Sequence, residues 1–312
     1  MSQRILITGA AGYIGSVLIP ELLNAGYAVD ALDLYPRGDT VLAACCANPN
    51  FNPIKGDTRD EVLVRGLLSK ADIVIPLAAL VGAPLCNQDP LNAQTTNSDA
   101  VRKIVEAISS DQKIIYPTTN SGYGIGQAGQ FCTEETPLNP ISLYGTSKVE
   151  AEAAILDSGN GVTLRLATVF GLSPRMRIDL LVNDFTWRAV TDRAVVIFEG
   201  HFKRNYIHIR DVAKAFMHAV VNYGAMTGNA YNVGLSTANL SKLELCAKIQ
   251  EHVPQFVFLE APIGEDPDKR DYIVSNEKLE RTGWMPDWSL DRGIQELLRG
   301  YRMLLNSRYA NI

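Results

Sequence analysis

Thr8-Gly9-Ala10-Ala11-Gly12-Tyr13-Ile14-Gly15 follows directly on an apolar run, Ile5-Leu6-Ile7, and leads into apolar residues at helical spacing, Ile14, Val17, Leu18 and Leu22. A strand, three glycines at this spacing and a helix make a tight turn in which each glycine has its own reason. The first permits the turn, the second lets backbone come close to a pyrophosphate, and the third packs helix on strand. The helix N-terminus then offers free N–H groups and a positive dipole end to phosphate. Read against an ordinary glycine-rich turn, the flanking elements and the early position favour a dinucleotide site, with Gly9, Gly12, Tyr13, Ile14 and Gly15 at the ligand.

Outward from that loop, short apolar runs alternate with helical patterns. Ala28–Leu32, Phe51–Ile54, Ile73–Leu77, Lys113–Tyr116 and Val162–Leu166 read as further strands, and Ala100–Ile108 and Tyr144–Leu156 as helices. Pro20 falls inside the first helix, where a kink is expected. This alternation predicts an α/β fold, a Rossmann-type doubly wound parallel sheet covered on both faces. Past about Gly171 the segments lose that rhythm, which suggests residues 1–170 as the dinucleotide domain and 171–312 as a smaller α/β substrate lobe, interleaved at the boundary. A strand at Ala194–Phe198, a helix from Asp211 and a last helix from about Leu290 are its clear elements.

Asp33 closes the second strand, with Leu34 beside it, at the distance where an acid grips the adenosine ribose. Its carboxylate accepts a 2′-hydroxyl and repels a 2′-phosphate, so NAD is the expected cofactor. Arg37 is the nearby residue that argues the other way. Asp57, followed by Thr58, stands after the third strand, either near the adenine edge or as a turn aspartate.

Tyr144 and Lys148 are four apart on a predicted helix and so share a face. A free tyrosine ionises near pH 10, too high for a base at neutral pH. A neighbouring ammonium and an oxidised nicotinamide both favour tyrosinate, which then takes a proton from a sugar hydroxyl as its carbon is oxidised. Thr119, just after the strand Lys113–Tyr116, offers a hydroxyl to the same oxygen, with Thr118 as its rival.

The composition fits this reading. The chain has 312 residues, 46% hydrophobic and 20% charged, with a net charge of −5. There is no basic run of the kind nucleic acid requires, so no nucleic-acid partner is expected. An anionic ligand then has to be held by local arginines and helix ends. The five cysteines are odd in number and Cys45 and Cys46 adjoin, unlike a disulfide framework. No secretory pattern and no long apolar run is read, so no membrane association is expected and the cytoplasm is the expected location. His201, His208, His218 and His252 lack metal-ligand spacing, and no metal site is expected. Cys86 reads as inert packing.

The combination of Thr-Gly-x-x-Gly-x-x-Gly, a Thr before Gly-Tyr-Gly and Tyr-x-x-x-Lys resembles the extended short-chain dehydrogenase/reductases, the NAD-dependent nucleotide-sugar epimerase/dehydratase family. The likeness covers nearly the whole chain. Gly56-Asp57-Thr58-Arg59 is similar to the family's adenine-site segment, Leu77-Ala78-Ala79-Leu80 to its segment under the cofactor, and Asn97 to its helix asparagine. Leu164–Gly171, Arg204–Val212, Arg270-Asp271 and Thr282–Pro286 resemble its later motifs. The resemblance implies Thr119, Tyr144 and Lys148 as the catalytic triad. It implies Asp57, Thr58, Leu77, Ala78, Ala79, Asn97, Tyr144 and Lys148 at the cofactor. It implies Asn120, Ser121 and Thr168 at the sugar, Arg204 and Arg270 on its diphosphate, and a homodimer built on the helices Ala100–Ile108 and Tyr144–Leu156.

Two departures narrow the reaction. The 4,6-dehydratases carry Asp-Glu after the catalytic threonine; here stand Asn120 and Ser121, neither a carboxylic acid, which argues against dehydration. Thr168 replaces the usual asparagine, and Asn205 the aspartate after the arginine. A nucleotide-sugar 4-dehydrogenase and a 4-epimerase both remain. The stretches Thr119–Gly126 and Ser173–Arg177 look similar to the GDP-heptose 4-dehydrogenase branch and tilt the expectation toward the dehydrogenase. A redox-sensing NAD-binding protein without turnover is the distant alternative, which retention of Thr119, Tyr144 and Lys148 disfavours.

Overall fold

Ile5, Leu6 and Ile7 are wholly buried, because the strand that carries them lies at the centre of a sheet with both faces covered. The computed structural model describes residues 2–36, 40–127, 129–264 and 270–304. Its main sheet is seven-stranded and parallel throughout. The order across it is Asn229–Val233, Gly161–Leu166, Lys113–Thr119, Ile73–Pro76, Arg4–Thr8, Ala28–Asp33 and Phe51–Lys55. This is the Rossmann-type α/β arrangement. The order reverses beside Arg4–Thr8, so a crevice opens outside the carboxyl ends of the strands at the point where the glycine turn begins.

Successive strand residues face opposite ways, and the core divides accordingly. Ile5 and Ile7 join an apolar cluster that runs through Leu18 and Leu22 to Phe170, Phe216 and Trp284. Leu6 joins the other cluster, with Val74, Val101, Ile104 and Ala151. The first cluster is continuous from the glycine helix into the C-terminal third of the chain. The edge strand Asn229–Val233 also comes from beyond residue 171, so the two halves share a core and a sheet.

The remaining segments form small sheets: Thr168–Phe170 beside Lys203–His208 and Asn239–Ser241, Ala194–Ile197 beside Val257–Glu260, and Phe131–Cys132 beside Ile273–Val274. Helices Leu181–Thr191, Ile209–Val221, Lys242–His252 and Leu290–Gly300 pack around them. Element ends differ from the sequence reading where side chains cap the backbone. Helix Ile209–Val221 starts ahead of Asp211 because His208 caps it through the Arg210 N–H. The first helix spans Gly15–Asn24 and carries Pro20 within its length. Lys113–Thr119 runs three residues beyond the expected strand, so Thr119 ends the strand. Among the described residues no helix is long and apolar enough to cross a membrane.

Candidate active site

The glycine turn is shaped for a ligand that needs bare backbone. Gly9 has φ +68, and a Cβ there would stand 2.5 Å from the Ala78 nitrogen. A Cβ on Gly12 would crowd the Gly9 carbonyl at 3.0 Å, and one on Gly15 would overlap the Ala10 carbonyl. The helix that follows begins without a side-chain cap, leaving its N-terminus open to phosphate. These features fit a dinucleotide pyrophosphate. Asp33 does more than wait at the strand end. Its carboxylate accepts from the Ala11 N–H at 3.0 Å and the Tyr35 N–H at 2.9 Å, fixing the turn to the second strand. Leu34 is half exposed beside it. Arg37 lies outside the described residues.

Asp57 is gripped by the Arg59 fork, Nε to Oδ1 at 2.9 Å and Nη2 to Oδ2 at 2.6 Å, and Arg59 reaches on to Asn92. That pairing holds the Asp57 carboxyl below its usual range. Thr58 lies in the turn between them. Leu77 and Ala78 run under the glycine turn, donating to the Thr8 carbonyl at 2.9 Å and its hydroxyl at 3.3 Å. Ala79 and Leu80 continue that segment, and Asn97 clamps it. Fully buried in a π-turn, Thr95–Asp99, Asn97 accepts from the Leu80 N–H at 2.8 Å and donates to the Leu80 carbonyl at 2.9 Å. It also donates to Ser147 Oγ at 3.3 Å, which ties this segment to the helix of Tyr144.

That helix, Leu143–Asp157, is capped by Ser142, whose hydroxyl accepts from the Gly145 N–H. It sets Tyr144 near Thr119, whose hydroxyl favours the phenolate. Thr119 Oγ1 also donates to Ser121 Oγ at 2.9 Å and accepts from the Ser121 N–H at 3.1 Å. Lys148 is 4% exposed, its ammonium 3.8 Å from the centre of the Tyr116 ring. Thr119 thus ends its strand at the carboxyl edge of the sheet, and Tyr144 and Lys148 stand one turn apart on the helix packed against that strand. Thr118, the rival, is buried with its hydroxyl unpartnered.

The electrostatics differ from the sequence expectation. Burial raises the Tyr144 phenol above its ordinary value, and the cations opposing it are Arg177 and Arg270. Burial also pushes Lys148 down to about 7, against an upward pull from Glu152. Arg177 was not singled out from spacing as a site residue. It reaches the site only because the loop after Gly171 folds back over the glycine turn, and that return has no local pattern. Tyr13 OH donates to the Gly171 carbonyl at 2.7 Å, Ser173 Oγ donates to the Tyr13 carbonyl at 2.9 Å, and Ser16 and Ser173 share a hydrogen bond at 2.8 Å.

Arg270 donates to Ser121 Oγ, two residues beyond Thr119. Asn120 is 1% exposed, with neither amide atom partnered. Thr168 opens a short strand paired with Tyr206, and Arg204 follows on the neighbouring strand. Arg204 is buried, its guanidinium over the Tyr272 ring at 5.8 Å. Cys86 is buried too, with its thiol on the Leu80 carbonyl at 3.3 Å. Among the described residues no cluster of His, Cys, Asp and Glu is arranged to hold a metal.

A glycine turn at the sheet's switch point, with a Thr, Tyr and Lys beside it, is the site of an extended short-chain dehydrogenase/reductase. The chain belongs to the NAD dependent epimerase/dehydratase family, whose sequence profile matches residues 5–234. It is an NAD-dependent enzyme of the nucleotide-sugar epimerase/dehydratase type. It is 30% identical to the low-salt glycan biosynthesis protein Agl12 of Haloferax volcanii, over 95% of this chain and 98% of that one. To the UDP-glucose 4-epimerase of Mycolicibacterium smegmatis it is 28% identical, over 96% and 99%. The crystal structure of UDP-glucuronic acid 4-epimerase from Bacillus cereus, in complex with UDP-glucuronic acid and NAD, aligns with a TM-score of 0.84 at 26% identity. That alignment covers 97% of this chain and all of the other.

Proposed function

We propose that this enzyme oxidises and re-reduces C4 of a nucleotide-diphosphate sugar, acting as a 4-epimerase. The observation that carries this reading is the clasp on the glycine turn, in which Tyr13, Ser16 and Ser173 join the cofactor loop to the Gly171–Arg175 segment. A cofactor held under such a clasp is regenerated in place, which an epimerase needs and a dehydrogenase does not. NAD, when bound, supplies the oxidation and the return reduction at that carbon. Tyr144 takes the C4 hydroxyl proton and gives it back, Thr119 orients that oxygen, and Lys148 holds the nicotinamide ribose. Asn120 and Ser121 supply no carboxylic acid, so water elimination has no acid to drive it. Arg204 and Arg270 are proposed for the substrate diphosphate, since guanidinium forks match phosphate oxygens.

A 4-dehydrogenase of the GDP-heptose type is the second reading, favoured by the likeness of Thr119–Gly126 and Ser173–Arg177 to that branch. A panel of UDP-, GDP-, CDP- and dTDP-sugars separates the two. A C4 epimer with no net NADH supports the epimerase. NADH accumulating with a 4-keto product replaces it with the dehydrogenase. A 4-keto-6-deoxy product would defeat the argument from Asn120 and Ser121. A homodimer across helices Ala100–Ala107 and Leu143–Asp157 is also proposed, and sedimentation of the purified chain at twice its monomer mass is the expected result.

A further inference from the structure

The helix of Tyr144 buries a third functional group that the proposed reaction leaves unused. Glu152 stands one turn beyond Lys148, as Lys148 stands one turn beyond Tyr144, so the three share a face. Glu152 is 1% exposed. Its Oε1 takes two N–H groups of Arg165, Nε at 2.8 Å and Nη2 at 2.6 Å. Its Oε2 is buried with no hydrogen-bond partner. Arg165 does not surround the carboxylate. Its other nitrogen is drawn away, to Tyr123 OH at 3.0 Å and the Glu134 carbonyl at 3.1 Å. Along this helix face the carboxylate follows one turn after the lysine, its Oε1 on the guanidinium and its Oε2 unpartnered.

The sheet beneath is arranged to match. Tyr116 lies abreast of Thr163, and Thr118 abreast of Arg165, on one face of neighbouring strands. Tyr116 carries the Lys148 ammonium over its ring, and Arg165 carries Glu152. The hydroxyls of Thr118 and Thr163, like Glu152 Oε2, are buried and unpartnered. A buried carboxylate with one empty oxygen is costly unless a nearby cation makes use of its charge.

We propose that Glu152 is a positioning residue for the reaction, its Arg165-anchored carboxylate holding the buried Lys148 in the ammonium form over the Tyr116 ring. The proposal rests on the reading that Lys148 acts as a cation at the cofactor. Other charged groups around this helix are engaged elsewhere. Glu150 takes bonds from Gln94 and Ser98, Arg102 pairs with Asp99, and Lys103 pairs with Glu61. From the sheet, Lys113 lies over the Tyr223 ring. Cys86, Arg177 and Arg270 act on Tyr144. The Glu152 charge opposes the burial that pushes Lys148 toward neutrality.

The test titrates the full chain, without cofactor, labelled with ¹³Cε-lysine, following the resonance that disappears in Lys148→Arg. Glu152→Gln keeps the acceptor for Arg165 and removes the charge. Its Lys148 resonance is expected to titrate about one pH unit or more below wild type, and Glu152→Asp less than half as far. Titration of Glu152→Gln at the wild-type pH, whatever its melting temperature, would overturn the proposal. If Glu152→Gln does not fold, Glu152→Asp decides by the same measure: a downward displacement supports the proposal and none overturns it. Turnover of Lys148→Met on the nucleotide-sugar panel is read separately. Retained turnover removes the catalytic reading of Lys148 and leaves the charge coupling standing. Lost turnover with an unmoved Glu152→Gln titration sinks the coupling alone.

Discussion

Tyr144 needs help to lose its proton, and the help comes from outside its own helix. Burial raises the phenol, while Arg177, Arg270 and the Thr119 hydroxyl favour the anion. Tyr144→Phe is expected to keep NAD binding and lower turnover at least about a hundredfold, and unchanged turnover would remove the catalytic assignment. Arg177→Gln withdraws a positive charge, so the acid limb of kcat/KM is expected to move to higher pH, as a pH–rate profile reads. Lys148 carries a stability consequence of its own. Its folded value of about 7 lies below the ordinary lysine value, so the unfolded chain binds more protons between the two. Stability from this site therefore rises with pH across that window, and its cost is full below about pH 7. Without NAD, Lys148→Met is expected to melt above wild type at neutral pH, with the margin narrowing toward about pH 10. Equal margins at both ends would contradict the buried-amine account. At this scale the proposed triad could be picked out because Tyr-x-x-x-Lys and the threonine are local patterns. Arg177 and Glu152 could not, because their importance depends on which chain segment lies opposite.

Among the elements, the π-turn Thr95–Asp99 shows why spacing alone misplaces boundaries. The sequence expectation of a helix from Ala100 was met, at Ala100–Ala107. The preceding Pro90–Gln94 helix and the π-turn that turns Asn97 inward were not read. One extra residue in a turn leaves hydrophobic periodicity nearly unchanged, yet it rotates an amide onto the Leu80 backbone. Asn97→Ala strands the Leu80 N–H and carbonyl, and is expected to cost about 1–3 kcal/mol in denaturant melts. A variant as stable as wild type would show that Leu80 finds other partners. The strand at Lys113 was read three residues short for a related reason. Apolar runs mark where a strand is buried, whereas Pro117, Thr118 and Thr119 continue the ladder beside Leu164, Arg165 and Leu166 with polar or ring side chains. The parallel sheet itself was legible, since its central strands are continuous apolar runs between helical patterns.

At the scale of the molecule, the clasp between Tyr13 and the Gly171 carbonyl ties the glycine turn to the later half of the chain. Tyr13→Phe removes that donor and is expected to speed NAD loss roughly fivefold, measured by the fall of bound dinucleotide after gel filtration. A rate equal to wild type would weaken the argument for an epimerase. Both halves share one sheet through a strand that the sequence reading did not identify. Asn229–Val233 reads Asn-Ala-Tyr-Asn-Val, its apolar residues interrupted by asparagine, and its partner Gly161–Leu166 gives it a place. That late strand has a practical corollary. Every residue of Gly161–Leu166 is buried, so a fragment ended at residue 170 exposes it as a bare edge, ready to template aggregation. The lobes are therefore not cassettes: sugar preference has to be re-engineered by substitutions within the intact chain, because grafting a foreign C-terminal half removes a wall of the nucleotide-binding half as well.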